Sequence, residues 1–345
     1  MVGRVAVLAL GAAALYGLAP ELVAVWSQTP RLASVSWVWF VVMALCEAGS
    51  LVAMWALARV ALPRMSWFMA GTAQLASNAV SRTVPGGAPV GGALYYRMLA
   101  GAGIDTAAAG TMLAATSIVS TATLFAVPGL ALMASLVGVS IPGGLASVAW
   151  AGVGLFLLVF LAGVIAIFTD RPLAIAVRSV ARAARHLPGG RGRADPDEAV
   201  RRALQARDIV VRDLGGRWPA ALASSAANWG LDFLALAAAV TAVGARASLS
   251  LLLLAYALAA VLAMLPITPG GLGFVEAGLT ATLTVAGVSA ADALLATLAY
   301  RIVSFWLPIP AGLIAYLLYR RRFGNRAERE ARARARSEAR RRRGP

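Results

Sequence analysis

The sequence predicts an all-α, polytopic helical membrane protein with about six full spans and two re-entrant hairpins arranged as an inverted repeat. Three observations lead to this fold class. Hydrophobic residues make up 60% of the 345 residues and charged residues 13%, and the mean hydropathy is +0.77. Several apolar stretches reach the roughly 20 residues that are needed to cross a ~30 Å hydrocarbon core. Two distant segments, each opened by Pro-Gly-Gly, resemble one another.

An internal repeat connects these two segments. Pro85 and Pro269 each begin a Pro-Gly-Gly motif, and they lie 184 positions apart. Residues 85–120 share 13 identities in 36 positions with residues 269–304, although 5 of the identities are alanines, which carry little weight in this composition. Duplicated halves that are interrupted by Pro and Gly inside apolar sequence are typical of membrane transporters, and the interruptions mark the binding site.

Six apolar segments are predicted to cross the membrane: 5–19, 37–61, 107–139, 145–168, 219–243 and 290–319. We interpret the first as a membrane helix and not as a signal peptide, because no cleavage pattern followed by a soluble domain is visible. The Pro-Gly-Gly motifs interrupt two further apolar regions, 66–100 and 249–286. The pieces that follow the motifs, 90–100 and 274–286, are about half a span long, which favours re-entrant hairpins. Eight full crossings are the alternative.

The distribution of charge predicts the orientation. Every basic residue is an arginine, and the net charge is +16. If each hairpin returns to the face that it entered, the basic regions all fall on one side, which the positive-inside rule makes the cytoplasm. Both termini are then cytoplasmic, in a bacterial cytoplasmic membrane. Three spans separate the hairpins, so the first opens to the cytoplasm and the second to the outside, and the repeat is inverted.

We expect one membrane domain over 1–319, with repeat halves centred on 66–120 and 249–304, and a cytoplasmic amphipathic insertion over 170–217. In the insertion, Asp195 as N-cap and Pro196 at the first helical position predict a helix that lies on the membrane. A solvated connector is the alternative. The tail, 320–345, contains 12 Arg and 3 Glu and is predicted to contact anionic headgroups rather than nucleic acid.

The sequence offers few groups for catalysis. It contains one cysteine, Cys46, and one histidine, His186, which leaves no disulfide within the chain and little metal or histidine chemistry. None of the short motifs of metalloproteases, serine hydrolases or P-loop nucleotidases is present. We therefore expect a protein that is not an enzyme and that holds no cofactor or metal.

Ionisable side chains inside a membrane are expensive to bury and are usually functional. Six are predicted at such positions: Glu47, Arg82, Arg97, Asp232, Glu276 and Arg301. A guanidinium is a planar fork of donors that suits a phosphate, so we expect Arg82, Arg97 and Arg301 to hold an anionic headgroup. Glu276 and Asp232 would tune or protonate the site. Structural ion pairing is the alternative for each acid.

The helix breaks supply the other predicted binding residues. Proline donates no backbone hydrogen bond, glycine admits a close approach, and a new helix N-terminus carries a positive partial charge. The predicted binding residues at the breaks are Gly86, Gly87, Gly270, Gly271 and Gly273. Asn78 precedes Arg82 by four positions and shares its helix face. A tight turn between ordinary helices is the alternative interpretation.

The segment 265–276, followed by Gly287 and Val288 and by 300–306, resembles the C-terminal signature of the lysylphosphatidylglycerol synthase transmembrane-region family. The resemblance extends from about the second span to residue 319. These are flippase-like integral membrane proteins, and Glu276 and Arg301 match the family's acidic and basic positions. The first repeat departs from the family pattern, since no acid follows its Pro-Gly-Gly.

The resemblance implies translocation of an aminoacylated or other anionic phospholipid between leaflets. We do not expect lysyl-lipid synthesis, because the sequence contains no soluble aminoacyl-transferase domain. The alternatives are a secondary transporter of a small anionic solute, a non-transporting scaffold that partners a separate lipid-modifying enzyme, and a membrane-embedded synthase, which the shortage of catalytic groups disfavours.

Overall fold

The computed structural model describes residues 35–84, 87–136, 169–171, 174–175, 177–179, 195–264 and 268–324. Within these ranges all regular secondary structure is helical, as the sequence predicts. The predicted spans 5–19 and 145–168 lie outside the described residues. So do residues 325–345 of the arginine-rich tail, and so does Gly86.

The helices are numbered here in chain order over the described residues. They are α1 (Trp37–Ala61), α2 (Trp67–Thr83), α3 (Gly87–Gly101), α4 (Thr106–Leu136), α5 (Pro196–Leu214), α6 (Trp218–Ala242), α7 (Leu249–Met264), α8 (Phe274–Val285), α9 (Ala290–Arg301) and α10 (Pro308–Tyr319). A tight 3₁₀ turn, Pro269–Gly271, precedes α8, and a π turn, Ile302–Trp306, joins α9 to α10.

Two stretches of the described chain are long and apolar enough, by length and composition, to cross a membrane. One is α1, whose bounds agree with the predicted span 37–61. The other is the continuous helical run Ala290–Gly324, which contains the predicted span 290–319. The described part of the predicted span 107–139 is helical as α4, and the predicted span 219–243 corresponds to α6.

The helices on either side of the two breaks are shorter. Three residues separate α2 from α3, and the two helices pack side by side; α7 and α8 pack together in the same way. These four helices have 17, 15, 16 and 12 residues, against the roughly 20 that a span requires. Helix α3 starts earlier than the predicted piece 90–100, because Gly87 lets it pass close to α2: a Cβ at Gly87 would overlap the backbone carbonyl of Ser81.

The turns that follow the two hairpins have the same geometry. Gly103 and Gly287, 184 positions apart, have φ angles of 90° and 94°, which favour glycine. The amide of each donates to the carbonyl three residues earlier, at 3.0 Å in both copies. Asp105 and Ser289 then cap α4 and α9, which begin at equivalent positions. The sequence repeat is therefore also a repeat of local structure at this point.

Two parts of the core position the hairpins. One lies among α1, α6, α7, α8 and α9 and contains the fully buried side chains of Met43, Leu236 and Leu279. The other lies where α2, α3 and the end of α10 meet. Helix α10 approaches α2 at Gly312, where a Cβ would overlap the carbonyl of Leu75. This close packing brings the end of α2, at the tip of the first hairpin, beside the π turn.

The predicted insertion over 170–217 contains the predicted helix. Helix α5 begins at Pro196 and has acids in its first turn, one of which, Glu198, pairs with Arg202. Leu214, at the end of this helix, is buried in a small cluster with Leu57 and Ala115. This end of the helix therefore packs on the helical body of the protein.

Candidate functional site

A cavity of about 370 Å³ lies among α1, α2, α6, α7 and α9, next to the 3₁₀ turn and the π turn. Six of the predicted binding residues line it: Asn78, Arg82, Gly87, Asp232, Gly270 and Arg301. They come from both repeats and from the helix α6 between them. The cavity is thus the place where residues that are distant in the sequence meet.

The other predicted residues lie elsewhere. Three of them, Glu276, Gly271 and Gly273, are at the second break but do not line the cavity. Glu276 contacts Arg301, which does line it. Arg97 is exposed on α3 and is not among the lining residues. Gly86 is outside the described residues. The predicted charged residues Asp232, Glu276 and Arg301 therefore lie at or beside the cavity together with Arg82, whereas Arg97 does not.

The two breaks touch each other. The guanidinium of Arg82, four residues before Gly86, donates to the carbonyl of Ser304 in the π turn. Gly270 has a φ of 58°, and a Cβ there would lie 3.3 Å from the carbonyl oxygen of Arg82 and would overlap the ring of Phe305. Glycine is needed at 270 both for its backbone conformation and for this contact.

Proline accounts for the free carbonyl that Arg82 uses. In an α-helix the amide of residue 308 would donate to the carbonyl of Ser304, but Pro308 has no N–H. The chain instead forms a π turn there, in which the amide of Leu307 donates to the carbonyl of Ile302 at 3.0 Å. Single π turns inside helices are frequent at functional sites. The first repeat has Leu124 at the equivalent position, and α4 continues through it without interruption.

Arg301 and Glu276 form a buried ion pair, with side chains about 8% exposed. The second carboxylate oxygen of Glu276 accepts from the backbone N–H of Gly273 at 2.7 Å and so caps α8. The guanidinium of Arg301 also donates to the carbonyl of Gly270 at 3.4 Å and lies 4.2 Å from the ring centre of Phe305. This pair joins α8, α9 and the 3₁₀ turn, and it neutralises Arg301.

Arg82 is different, although it lines the same cavity. Among the described residues no carboxylate forms an ion pair with it, and its guanidinium makes one hydrogen bond, to Ser304. It lies 5.5 Å from the ring centre of Phe305. A guanidinium has five N–H donors, so Arg82 retains free donors for an anion.

Carboxyl groups occupy the other side of the cavity. Asp232 accepts hydrogen bonds from the hydroxyls of Tyr256, at 2.7 Å, and Tyr300, at 2.8 Å. Glu47 is 7% exposed and lies within hydrogen-bonding reach of Asp232. One of its oxygens has no partner among the described residues. The side chain of Asn228 donates to the hydroxyl of Ser50 at 2.7 Å, which ties α6 to α1.

Sequence reasoning found some of these groups and missed others. Glu47 was identified as an ionisable residue within a span but was not assigned to the site. Ser304 and Phe305 were not assigned to the site, although they lie in the segment 300–306 that carries the family resemblance. Tyr256 was missed, since no sequence pattern distinguishes it from other residues of apolar helices. In the described part of the chain no group of three or more His, Cys, Asp or Glu side chains is arranged to hold a metal.

Apolar helices that surround a cavity lined by arginines and carboxylates fit a helical membrane protein. Comparison with protein families supports this class. The profile described as Lysylphosphatidylglycerol synthase TM region matches residues 2–312, and the chain belongs to that family. A search of curated proteins and a search of solved structures gave no match.

Proposed function

We propose that this protein moves an anionic phospholipid, with a phosphate or aminoacylated headgroup, between the leaflets of the bacterial cytoplasmic membrane. The observation that carries the proposal is Arg82, an arginine at the cavity with free donors and no carboxylate partner among the described residues. Membership of a membrane-protein family of lipid metabolism supports a lipid as the substrate. We propose no catalytic activity.

The cavity is suited to a headgroup. Its volume of about 370 Å³ is in the usual range for small-molecule sites. A phosphate can accept two parallel hydrogen bonds from the fork of Arg82. The N-terminus of α3, at Gly87 and Ala88, also lines the cavity and adds a positive partial charge. Acyl chains would remain in the bilayer while the headgroup occupies the protein.

We further propose that α2–α3 and α7–α8 are re-entrant hairpins of an inverted repeat. Their helices are short for full spans, and their ends meet beside the cavity through Arg82 and Gly270. Irregular backbone at membrane depth is tolerated where it is buried in protein or lines a wet cavity. Rocking of one repeat against the other would expose the cavity to each face in turn.

A vesicle assay tests translocation. Purified protein is reconstituted with a fluorescent phosphatidylglycerol, and a membrane-impermeant reductant reports how fast the inner-leaflet label reaches the outside. Arg82→Gln should slow translocation about 10- to 100-fold, because a hydrogen bond to a charged group contributes about 1.5–3 kcal/mol. Arg246→Gln, which removes an exposed arginine from the loop before α7, is the matched control and should leave the rate unchanged.

The same preparation separates the alternatives. Uptake of a water-soluble phosphate ester without lipid movement would replace the proposal with a secondary transporter of a small anion, since the cavity volume suits either substrate. Equal lipid rates in wild-type, Arg82→Gln and protein-free vesicles would contradict the proposal and favour a scaffold for a lipid-modifying enzyme.

A further inference from the structure

The two carboxyl groups of the cavity, Glu47 and Asp232, are close together, and binding of a headgroup does not by itself explain why both are there. Glu47 is about nine-tenths buried, lines the cavity and leaves one carboxyl oxygen without a partner among the described residues. Its neighbour Asp232 is held by two tyrosine hydroxyls. A side chain that only supported the fold would be expected to satisfy both of its oxygens.

The arrangement requires a proton. Two carboxylates within hydrogen-bonding reach cannot both be ionised without a large repulsion, and a hydrogen bond between them needs a hydrogen. Asp232 accepts at both oxygens from Tyr256 and Tyr300, which is the pattern of the ionised partner. Glu47, whose free oxygen receives no donor, then holds the proton.

Within the described part of the chain, few charges face the pair. From α2 comes Arg82, and from α9 come Arg301 and Tyr300; Tyr256 lies on α7, and Cys46 neighbours Glu47 on α1. Arg301 is neutralised by Glu276 of α8. With one proton on the pair, its single negative charge balances Arg82, and the cavity is neutral overall.

An anion on Arg82 disturbs this balance. Once a phosphate shares the guanidinium, the pair loses the compensation that Arg82 provides, and a second negative charge on the pair becomes still less favourable. Keeping the cavity neutral then requires another proton on the pair for each single negative charge that enters. Proton binding and anion binding are therefore coupled with the same sign, and by linkage each strengthens the other.

We propose that Glu47 and Asp232 form a proton-binding site that takes up about one proton when an anionic headgroup binds to Arg82. The proton site itself stands on the geometry of the carboxyl pair, and the coupling rests on the headgroup function proposed above. If the protein transports the lipid in this state, a proton gradient can drive the movement.

The proton site is tested without any lipid. Infrared difference spectra of the purified protein, recorded across a pH titration, should contain a protonated-carboxyl band that is missing in Glu47→Gln. The glutamine amide can donate to Asp232 as the protonated acid does, so this variant should fold, which its thermal midpoint checks. Arg246→Gln is the control and should retain the band. A wild-type protein without the band, or a band that persists in Glu47→Gln, would overturn the site.

The coupling is tested with soluble dihexanoyl-phosphatidylglycerol by calorimetry in buffers of different ionisation enthalpy. Wild-type protein should take up about one proton per lipid bound, and saturating lipid should raise the proton affinity seen in the infrared titration about tenfold or more. The double variant Glu47→Gln/Asp232→Asn, which leaves no carboxyl in the pair, should bind lipid with no proton uptake. Binding that is independent of buffer, or that depends on sodium in place of protons, would overturn the coupling. Absence of any binding would contradict the headgroup function and the coupling, while the infrared result would still decide the proton site.

Discussion

The two arginines of the cavity illustrate how the same side chain has different roles in different surroundings. Arg301 is paired with Glu276, which also caps α8, so its charge is used within the protein. Arg82 contacts a backbone carbonyl that Pro308 leaves free, so most of its N–H donors remain available. We conclude that Arg301 organises the second break and that Arg82 is the residue best placed to meet an anion.

This distinction predicts the energetics of the ion pair. Glu276→Ala should lower the free energy of unfolding by about 3–5 kcal/mol, because it leaves the Arg301 charge buried without its partner. A double-mutant cycle with Arg301→Ala should give a coupling energy of about 0.5–3 kcal/mol. Reversible unfolding in mixed micelles measures both quantities. Additive single effects would show that the pair does not act as a unit.

At this scale the sequence identified the charged residues, because ionisable groups are rare in apolar segments. It allowed the pairing of Glu276 with Arg301, but it did not identify the partners of Asp232 and Arg82. Asp232 is bound by tyrosines 24 and 68 residues away in the chain, and Arg82 by a carbonyl 222 residues away. Such pairs depend on helix packing, which the local pattern does not specify. Arg97 lies on α3, the helix that follows the first break, but its side chain is exposed and does not line the cavity.

At the scale of the elements, the second break depends on one glycine. Gly270→Ala would place a side chain in a left-handed conformation, at about 1–2 kcal/mol, and would also overlap Phe305. We expect a lower thermal midpoint for this variant. Gly230→Ala on α6 is the matched control, because a Cβ there meets nothing and alanine favours a helix. Its midpoint should stay the same or rise; a fall as large as that of Gly270→Ala would contradict the account of the break.

The repeat makes a sharp prediction about orientation. Thr106 and Ala290 begin α4 and α9, are exposed and are equivalent in the repeat. In a Cys46→Ala background, Thr106→Cys should react with an impermeant maleimide from the cytoplasmic side and Ala290→Cys from the outside. Labelling of both from the same side would show that the repeat is not inverted.

The bounds of the elements were predicted well where local chemistry decides them. Apolar runs closed by Pro and Gly placed α1, α4, α6 and α8 within a few residues of their observed ends. The π turn was not predicted, although Pro308 lies inside the segment 290–319, because that segment was interpreted as one uninterrupted span. The predicted start of α3 was three residues late. The helix begins at Gly87, where the absence of a side chain lets it pack against the backbone of Ser81, and this contact cannot be read from the local sequence.

At the scale of the whole molecule, the two repeats are unequal halves of one site. Both have the same turn after the hairpin, with Gly103 and Gly287 in matching conformations. The second alone has an acid and an arginine at the equivalent positions, Glu276 and Arg301, where the first has Gly92 and Ser117. The first half supplies Arg82. The second half thus supplies an arginine that is already paired with an acid, and the first half supplies an arginine whose N–H donors remain free.

The most direct test of the account is to find where an anionic headgroup lies. A phosphatidylglycerol with a photoreactive group on its glycerol headgroup, irradiated with the reconstituted protein, should attach to peptides of α2 and of the π turn around Arg82 and Phe305. Arg82→Gln should lose this attachment, and Arg246→Gln should keep it. Attachment confined to the exposed outer faces of α1 and α10, unchanged in Arg82→Gln, would contradict the account.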